Sequence, residues 1–353
     1  MSKFMKDLGT IHLIGIGGIG MSSIAEVLIN LGYKITGSDI ALNKNVQRLQ
    51  ELGVKIYIGE NAKHLKDASI VVISSAIKNN NVELNAAYVK RIPVIRRADM
   101  LAELMRFKKS IAIGGTHGKT TTTSLISAIL DNAKYDPTVV NGGIIEAYGS
   151  NARLGKGDWM VVEADESDGT FTRLPSTYVV VTNIDKEHLD FYGNKNNLYR
   201  AFMHFIENIP FYGVAFLCID NADTQKLYKE IKYRKLVSYG FNNQANVKAI
   251  NLSVRNGLTN FDVKIDGNEK LKNKIIKNIS ITMPGKHNVR NALASIALAI
   301  ELGINTNIIK DTLKNFKGVE RRFSIIGNKK GVTYIDDYAH HPTEISSVLE
   351  AAK

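Results

Sequence analysis

Short apolar runs alternate with amphipathic segments along most of the chain. Near the N-terminus, TIHLIGI predicts a buried strand, residues 21–31 predict an amphipathic helix, and YKITGSD predicts a second strand. The pattern continues with strands predicted at 54–59, at 69–77 and in PVIRRA, and a helix predicted near 82–90. Strands and helices that alternate in this way form parallel sheets covered by helices. We therefore predict an α/β protein whose first parallel-sheet domain spans residues 1–106.

A second strand and helix enclose a glycine-rich loop. Residues 111–113 predict a buried strand and residues 121–130 an amphipathic helix. Glycines between them would let backbone N–H groups surround a polyphosphate, with Lys119 reaching its outer phosphates and the Thr120 hydroxyl binding the Mg²⁺ that accompanies ATP. The loop is one residue shorter than the usual motif, and a Gly/Thr-rich turn that opens an ordinary helix is the alternative. The predicted ATP-binding residues of this loop are Gly114, Gly115, Thr116, His117, Gly118, Lys119, Thr120 and Thr121.

An earlier glycine turn, GIGGIG, joins the first predicted strand to the first helix. Its glycines allow close approach to a pyrophosphate, and Asp39, at the end of the second strand, would bind a ribose hydroxyl. NAD, FAD and a nucleoside-diphosphate sugar would all place a pyrophosphate here, and a turn that binds nothing has the same pattern. Ser74 and Ser75 lie at the end of their predicted strand, where ligands bind in open parallel sheets. The candidate glycines are Gly15, Gly17, Gly18 and Gly20.

Acidic residues end the apolar run DWMVV. Glu163 stands where a carboxylate can hold Mg²⁺ beside a phosphate loop on a neighbouring strand. Asp165, Glu166 and Asp168 either extend this cluster or form a solvated acidic loop. His188 follows the predicted strand STYVVVTNI at the same sheet edge, so it is either a metal ligand or a structural histidine.

The second half of the chain is less regular. Residues 198–283 predict completion of the sheet with an antiparallel addition, whereas Asn141-Gly142-Gly143 and GSNARLGKG predict glycine-rich turns. The segment PGKHN opens a helix on whose first turn His287, Asn288 and Asn291 could contact an adenine ring, although Asn288 could simply cap that helix. The final residues predict one or two strands and a helix that begins near Pro342, too little to bury a separate core.

Composition narrows the function classes. Of 353 residues, 44% are hydrophobic and 23% charged, which is typical of a soluble globular protein. No apolar run is long enough to span a bilayer, the N-terminus lacks a signal peptide, and the single cysteine, Cys218, suits a reducing cytoplasm. A metal site would therefore use oxygen and imidazole ligands. The net charge of +12 suggests anionic ligands, but without an Arg-rich block we expect neither nucleic-acid binding nor membrane insertion.

Seven segments in order resemble one family. GIGGIGMSSIAEVL, GTHGKTTTT, EADESDGTF, NIDKEHLDFYG, PGKHNVRNALA, GVERRF and DDYAHHPTE are similar to motifs of the Mur ligases of peptidoglycan synthesis, and the GTHGKT and DDYAHHP forms resemble the alanine-adding branch. The resemblance implies a Rossmann-like UDP-sugar-binding domain over 1–106, a P-loop-type ATP-binding domain with a mixed sheet over 107–317, and the start of a Rossmann-like amino-acid-binding domain over 318–353. We expect this partial third domain to limit turnover by the chain alone.

The resemblance also assigns roles. It implies an ATP-dependent ligase that joins L-alanine to the lactyl carboxylate of UDP-N-acetylmuramate through an acyl phosphate, as a cytoplasmic monomer or weak homodimer. Lys119 would contact ATP, Thr120 and Glu163 one Mg²⁺, and His188 a second. The carbamylated lysine of some relatives corresponds to Met203 here, so no carbamate ligand is expected. The resemblance implies that His287, Asn288 and Asn291 bind adenine and that Arg322 and Asp337 close over the nucleotide. The UDP group would be bound by the glycine turn together with Ser38, Asp39, Ser74 and Ser75. L-alanine would be bound by Tyr338 and His340.

Three alternatives stay open at this point. A nicotinamide-dependent oxidoreductase would use the first glycine turn but leave the phosphate loop, Glu163 and His188 unexplained. A binding module would keep the nucleotide sites without catalysis. Within the same fold, a recycling ligase would join a whole tripeptide to the same sugar nucleotide.

Overall fold

A five-stranded sheet and a ten-stranded sheet form the framework of the molecule. The computed structural model describes residues 9–74, 76–106, 108–145, 150–255, 257–267 and 274–353. Ser75, predicted above as a UDP-binding residue, therefore lies outside the described residues.

The first sheet is entirely parallel, with strand order β3-β2-β1-β4-β5, as the alternating pattern predicts. Helix α1 follows the glycine turn directly. The elements of this region are β1 (Thr10–Ile14), α1 (Ile19–Asn30), β2 (Lys34–Asp39), α2 (Lys44–Glu51), β3 (Lys55–Ile58), β4 (Ala68–Ile73), α3 (Val82–Val89), β5 (Val94–Arg96) and α4 (Arg97–Met105), with a 3₁₀ helix at Ala62–Leu65.

The second sheet is mixed and has the order β15-β14-β13-β12-β11-β10-β6-β9-β7-β8. Its strands from β13 back to β7 pair in parallel, whereas β14, β15 and β8 are antiparallel additions. The elements are β6 (Lys109–Gly114), α5 (Lys119–Asn132), β7 (Thr138–Ile145), β8 (Ser150–Arg153), β9 (Trp159–Glu163), β10 (Tyr178–Val181), α6 (Leu189–Tyr192), α7 (Lys195–Glu207), β11 (Val214–Cys218), α8 (Ala222–Glu230), β12 (Lys235–Gly240), β13 (Val247–Arg255), β14 (Leu258–Ile265), β15 (Lys274–Ile281), α9 (Lys286–Glu301) and α10 (Thr306–Asn315), with a 3₁₀ helix at Thr170–Arg173.

The last residues form a small separate layer. Strands β16 (Ser324–Lys329) and β17 (Val332–Asp336) make an antiparallel pair, and helix α11 (Pro342–Ala352) follows with Pro342 at its start. No residue after Val319 is buried within the described part of the chain. This agrees with the prediction that the segment cannot build a core of its own.

Asparagine side chains fix the starts of several helices. Asn43, Asn81, Asn194, Asn221 and Asn305 each accept a hydrogen bond from a backbone N–H in the first turn of α2, α3, α7, α8 and α10. Such caps satisfy donors that the helix itself leaves free, and each contributes about 1 kcal/mol. The Asn-rich composition therefore has a direct structural use.

Two helices cover one face of the large sheet and complete its core. Helices α5 and α9 pack against each other and against the central strands, and Leu125, Ile129, Leu293 and Ile296 are almost fully buried there. Burial of each such side chain contributes about 2 kcal/mol. This packing fixes the N-termini of α5 and α9, where nucleotide-binding residues are predicted.

Three expectations about secondary structure were wrong. Helix α4 follows β5 without a break and was not predicted, because Arg96 precedes it without a side-chain cap. Asn141-Gly142-Gly143 lies within strand β7 and not in a turn, and residues 150–153 of the second predicted turn form β8. Strand β4 ends at Ile73, four residues earlier than expected.

None of the helices in the described part of the chain combines the length and apolar character needed to cross a bilayer.

Candidate active site

The phosphate loop lies between the central strand β6 and the long helix α5, as its sequence predicts. Gly115 has φ 130° and Gly118 φ 82°, a region that favours glycine. A Cβ on Gly115 would lie 2.1 Å from the Thr182 hydroxyl oxygen, and one on Gly118 would lie 2.5 Å from Asn291 Oδ1. Both glycines are therefore required by close approach as well as by conformation.

Asn183, just beyond β10, holds the loop in shape. Its Oδ1 accepts a hydrogen bond from the His117 N–H, and its Nδ2 donates to the His117 carbonyl, both at 2.9 Å. Its own carbonyl accepts from the Thr116 N–H at 3.1 Å, and the Thr182 hydroxyl donates to the same His117 carbonyl. Sequence reasoning missed this role, although two polar residues directly after a buried strand could have suggested it.

Lys119 points back into the loop. Its Nζ donates to the carbonyls of Gly115 and Thr116 and lies 2.9 Å from the carboxylate of Glu166. Burial by itself lowers the pKa of Lys119, but attraction to Glu166 and Glu163 outweighs it, so the pKa lies above its ordinary value. Lys119 is therefore a partly buried cation, with 15% of its side chain exposed, at the loop that was predicted to bind phosphates.

Of the acidic cluster, only Glu166 is buried, with 1% of its surface exposed. Asp165 accepts from the Ser167 N–H, and Asp168 accepts from the N–H and hydroxyl of Thr170, so both form local turns. Asp165 and Asp168 therefore fit the alternative of a solvated acidic loop, whereas Glu166 contacts Lys119 of the phosphate loop.

Glu163 stands beside the phosphate loop as expected. It ends β9, where it pairs in register with Ile113 of β6. Its Oε2 accepts a hydrogen bond from the Gly142 N–H at 2.8 Å, and a Cβ on Gly142 would lie 2.5 Å from Oε1. The glycines of β7 therefore make room for Glu163, and a Cβ on Gly143 would meet the Thr120 methyl group at 2.9 Å.

A cavity of about 190 Å³ brings the predicted metal and phosphate ligands together. Lys119, Thr120, Glu163 and His188 all line it. His188 has φ 53°, a conformation that is strained for a non-glycine residue and is frequent at functional sites. Its ligand atoms also lie within 4.8 Å of those of Glu166 and Glu187, so oxygen and imidazole donors that could hold a cation are grouped here. Other lining residues are Thr116, Gly118, Glu187, Arg322, His340 and Glu344.

A second cavity, of about 260 Å³, lies next to the phosphate loop. Its lining contains all five residues that were predicted around the nucleotide outside the loop: His287, Asn288, Asn291, Arg322 and Asp337. Residues that the sequence did not single out also line it, including Asn183, Asp185, Asp220, Tyr239, Arg290 and Glu344.

The residues at the start of α9 make contacts of their own. Gly285, and not Asn288, is the N-cap of this helix, and the Asn288 amide donates instead to the Pro284 carbonyl at 2.7 Å. The capping alternative for Asn288 is therefore wrong. Burial and the positive charges of Arg290 and Arg322 lower the pKa of His287 against the opposing effect of Asp337, so its imidazole is neutral at pH 7.

The C-terminal layer touches the phosphate loop directly. His117 Nδ1 lies 3.2 Å from Glu344 Oε1, and His117 Nε2 lies 3.3 Å from Asp185 Oδ2. The Thr343 hydroxyl donates to the same oxygen of Asp185 at 2.9 Å. These contacts hold helix α11 against the second cavity, whose lining includes Thr343 and Glu344.

The remaining predicted residues of this layer differ in position. Asp337 accepts from the Phe323 and Ala339 N–H groups, which fixes the loop that carries Arg322. His340 lines the smaller cavity, whereas Tyr338 lines neither cavity, and the guanidinium carbon of Arg322 lies 5.8 Å from its ring centroid.

In the first sheet, the glycine turn is held by the end of β2. The Gly15 and Ile16 N–H groups donate to the Ser38 carbonyl, and the Gly17 N–H donates to Asp39 Oδ2 at 2.8 Å. Gly18 is the N-cap of α1 and makes no side-chain capping hydrogen bond. The first N–H groups of the helix are therefore available to a ligand.

Two further predicted residues flank this turn. The Ser74 hydroxyl oxygen lies 3.8 Å from where a Cβ of Gly15 would stand, and Gly20 packs against Arg97. The Ser38 hydroxyl differs from expectation, because it is buried and donates to Glu83 inside the domain. Ser38 therefore supports the turn through its carbonyl.

Family comparisons agree with the order of these features. The family model described as "Mur ligase family, catalytic domain" matches residues 10–109, "Mur ligase middle domain" matches 113–299, and "Mur ligase, glutamate ligase domain" matches 321–353. The chain belongs to the Mur ligase family.

Individual relatives share most of the chain. It is 58% identical over 353 residues to the UDP-N-acetylmuramate–L-alanine ligase of Paramagnetospirillum magneticum, covering 100% of this chain and 74% of that protein. The crystal structure of UDP-N-acetylmuramate-alanine ligase from Thermotoga maritima has a TM-score of 0.85 at 32% identity, over 98% of this chain and 77% of that one. A UDP-N-acetylmuramate:L-alanyl-γ-D-glutamyl-meso-diaminopimelate ligase from Neisseria meningitides has a TM-score of 0.80 at 26% identity, over 89% and 99%.

The family assignment accounts for both glycine motifs at once. Mur ligases form amide bonds with ATP, for which a phosphate loop is expected, and the relatives named above act on a sugar nucleotide as well. A nicotinamide-dependent oxidoreductase has no use for the Lys119, Glu163 and His188 cavity, and the family match excludes that alternative.

Proposed function

We propose that the protein is an ATP-dependent ligase that joins L-alanine to UDP-N-acetylmuramate. The observation that carries this is the cavity in which Lys119, Thr120, Glu163 and His188 converge beside a second cavity lined by His287 and the asparagines of α9. A protein named for the alanine-adding reaction is 58% identical over the whole chain, which supports this substrate pair.

The reaction requires activation because a carboxylate does not acylate an amine at neutral pH. The lactyl carboxylate attacks the γ-phosphorus of ATP, which forms an acyl phosphate and expels ADP. The neutral amine of L-alanine then attacks the activated carbonyl carbon, and the tetrahedral intermediate expels inorganic phosphate. No covalent bond to the protein is needed, so positioning and electrostatic stabilisation are the protein's contribution.

Two cations of the chain serve the phosphoryl transfer. In the proposed reaction Lys119 releases Glu166 and contacts the transferred phosphate, and Arg322 faces the same cavity from the C-terminal layer. Fixed positive charges in a site that excludes water stabilise the developing negative charge. The His117 and Glu344 contact would keep the layer closed while the acyl phosphate exists.

The donor set of the smaller cavity fits Mg²⁺. The Thr120 hydroxyl and the Glu163 carboxylate are oxygen ligands of the kind that this cation prefers, and His188 with Glu166 and Glu187 offers a second set. Bound there, the cation would neutralise charge on the phosphates. In this proposal Gly142 holds Glu163 in position, and the neutral His287 with Asn288 and Asn291 binds adenine.

The glycine turn, Asp39 and Ser74 would bind the UDP group of the sugar nucleotide. The uncapped N-terminus of α1 supports this, because its free N–H groups and helix dipole favour a pyrophosphate. For L-alanine, His340 is supported by its place in the cavity with Lys119. Tyr338 is not among the residues that line that cavity, and its role in alanine binding stays a prediction.

The second candidate is a ligase that adds a whole tripeptide, since a protein of that name shares the fold at 26% identity. The test is to incubate the chain with ATP, Mg²⁺, UDP-N-acetylmuramate and either L-alanine or L-alanyl-γ-D-glutamyl-meso-diaminopimelate, and to detect the amide product by mass spectrometry. We expect product and ADP with L-alanine and no product with the tripeptide, at a low rate because the chain spans 74% of the length of the Paramagnetospirillum magneticum relative. Product with the tripeptide only would contradict the proposal in favour of the recycling reaction.

A further inference from the structure

A buried polar cluster in the first domain takes no part in the chemistry described so far. Its centre is Glu83 in the first turn of α3, whose side chain is fully buried. The Ser38 hydroxyl donates to Glu83 Oε2, and the Asn61 N–H donates to Oε1 at 3.2 Å. His12 Nε2 lies 3.4 Å from Oε2 and His64 Nδ1 lies 2.5 Å from Oε1.

This carboxylate is held in its ionised form. Burial alone raises the pKa of Glu83, but hydrogen bonds from His12, Ser38, His64 and the Asn61 backbone together lower it below its ordinary value. Isolated burial of a carboxylate is strongly unfavourable, and well-packed apolar residues usually serve a core at least as well. A buried carboxylate with four donors therefore suggests a task other than stability.

The cluster connects directly to the glycine turn. The hydroxyl of Ser38 is bound to Glu83, while the carbonyl of the same residue accepts the Gly15 and Ile16 N–H groups at 2.8 and 3.0 Å. The next residue, Asp39, holds the Gly17 N–H. Glu83 thus fixes Ser38, the residue of β2 whose carbonyl holds the first half of the turn.

The sequence gives no hint of this connection. Glu83 follows Ser38 by 45 residues and lies in a helix whose sequence, VELNAAYV, carries no motif. Only the pairing of β2 with β1, and of β1 with β4, brings α3 and the end of β2 together.

We infer that Glu83 is a positioning residue for the sugar-nucleotide site, which holds Ser38 and through it the glycine turn in the geometry that binds a nucleoside-diphosphate sugar. This inference rests on the proposed function. It also explains why Ser38 lies at the turn although its hydroxyl is buried and bonded to Glu83.

The test uses the full chain and two small substitutions. Glu83→Gln keeps the size of the side chain but removes its charge, and Ser38→Ala removes only the hydroxyl. The matched control is Glu26→Gln, because Glu26 is also a buried carboxylate of this domain and is paired with Arg48, whereas the described hydrogen bonds of the Ser38 hydroxyl lead to Glu83. Calorimetry gives the Kd for UDP-N-acetylmuramate and for ATP, and thermal unfolding gives the stability of each variant.

We expect Glu83→Gln and Ser38→Ala each to weaken UDP-N-acetylmuramate binding about tenfold, the effect of losing one charge-assisted hydrogen bond, with the Kd for ATP unchanged. Because both act through one hydrogen bond, the double variant should bind no more weakly than Glu83→Gln alone. Glu26→Gln should lower the unfolding temperature without changing either Kd.

Two results would overturn the inference. If Glu83→Gln only lowers the unfolding temperature, as the control does, and Ser38→Ala binds normally, the cluster is structural. If the two substitutions are additive, they act by separate routes. Failure of the wild-type chain to bind UDP-N-acetylmuramate at all would instead refute the proposed function, and this inference with it.

Discussion

Lys119 Nζ lies 2.9 Å from the carboxylate of Glu166, and it is bonded at the same time to two carbonyls of its own loop. The cation proposed to meet the phosphates of ATP is thus held in place by a buried anion. The phosphates of ATP would replace the Glu166 carboxylate as the partner of Lys119. Until then, the ion pair keeps the ammonium group in the position where it would meet those phosphates.

Lys119→Ala should lower ligase turnover at least a hundredfold, because the transferred phosphate loses the cation proposed to contact it. It should also destabilise the protein by about 3 kcal/mol, since Glu166 would be left as a buried unpaired carboxylate. UDP-N-acetylmuramate binding should persist. The measurements are ADP formation, thermal unfolding and calorimetry.

The control for this prediction is the double variant Lys119→Ala with Glu166→Gln. Removal of the buried charge should restore much of the stability but none of the turnover. A double variant that forms ADP at the wild-type rate would contradict the role given to Lys119.

Gly142→Ala should displace Glu163, because the new Cβ would lie 2.5 Å from its Oε1. We expect the Mg²⁺ concentration for half-maximal turnover to rise about tenfold, as is typical when a residue that orients a metal ligand is lost. Gly327→Ala is the control, since Gly327 has no neighbour within 4 Å of its Cβ position and no positive φ. An unchanged Mg²⁺ dependence in Gly142→Ala would remove Glu163 from the metal site.

The contact between His117 and Glu344 predicts a pH dependence. Burial lowers the pKa of His117, but Glu344 and Asp185 raise it more, to above the ordinary value of 6.5. The pKa of Glu344 is lowered to about 2, against the opposing effect of burial, by the hydrogen bond and charge of His117. Stabilisation by protonated His117 is complete below its ordinary pKa and is lost as the pH rises through the raised pKa, whereas that by Glu344 is lost only as the pH falls from 4.5 towards 2.

Helix α11 should therefore be held to the phosphate loop more firmly at pH 6 than at pH 8.5. Hydrogen exchange of residues 342–352, corrected for the intrinsic effect of pH, measures this. In Glu344→Gln the difference between the two pH values should shrink. Equal protection at both values in the wild-type chain would show that the ion pair does not hold the helix.

Much of this architecture could be predicted because parallel strands end at one sheet edge. The register of Glu163 beside Ile113, and the strand, loop and helix around Lys119, follow from that rule. The glycines of β7 could not be recognised as strand residues, because glycine ordinarily indicates a turn. Glycine is needed at these positions because the side chains of Glu163 and Thr120 approach the backbone there, and this approach is visible only in the folded sheet.

The burial of Glu166 was equally hidden. It stands among acidic neighbours, and nothing local distinguishes it from Asp165 and Asp168, which remain in turns. Likewise, Glu83 and Asn183 act on segments distant in sequence, so their roles depend on tertiary contacts that a pattern of residue types does not contain.

The most direct test of the central claim is calorimetric titration of the chain with UDP-N-acetylmuramate and, separately, with NAD. The account predicts saturable binding of the sugar nucleotide and none of NAD. In this account the glycine turn before α1 binds the UDP group, and the loop around Lys119 binds ATP. Binding of NAD without UDP-N-acetylmuramate would contradict the account.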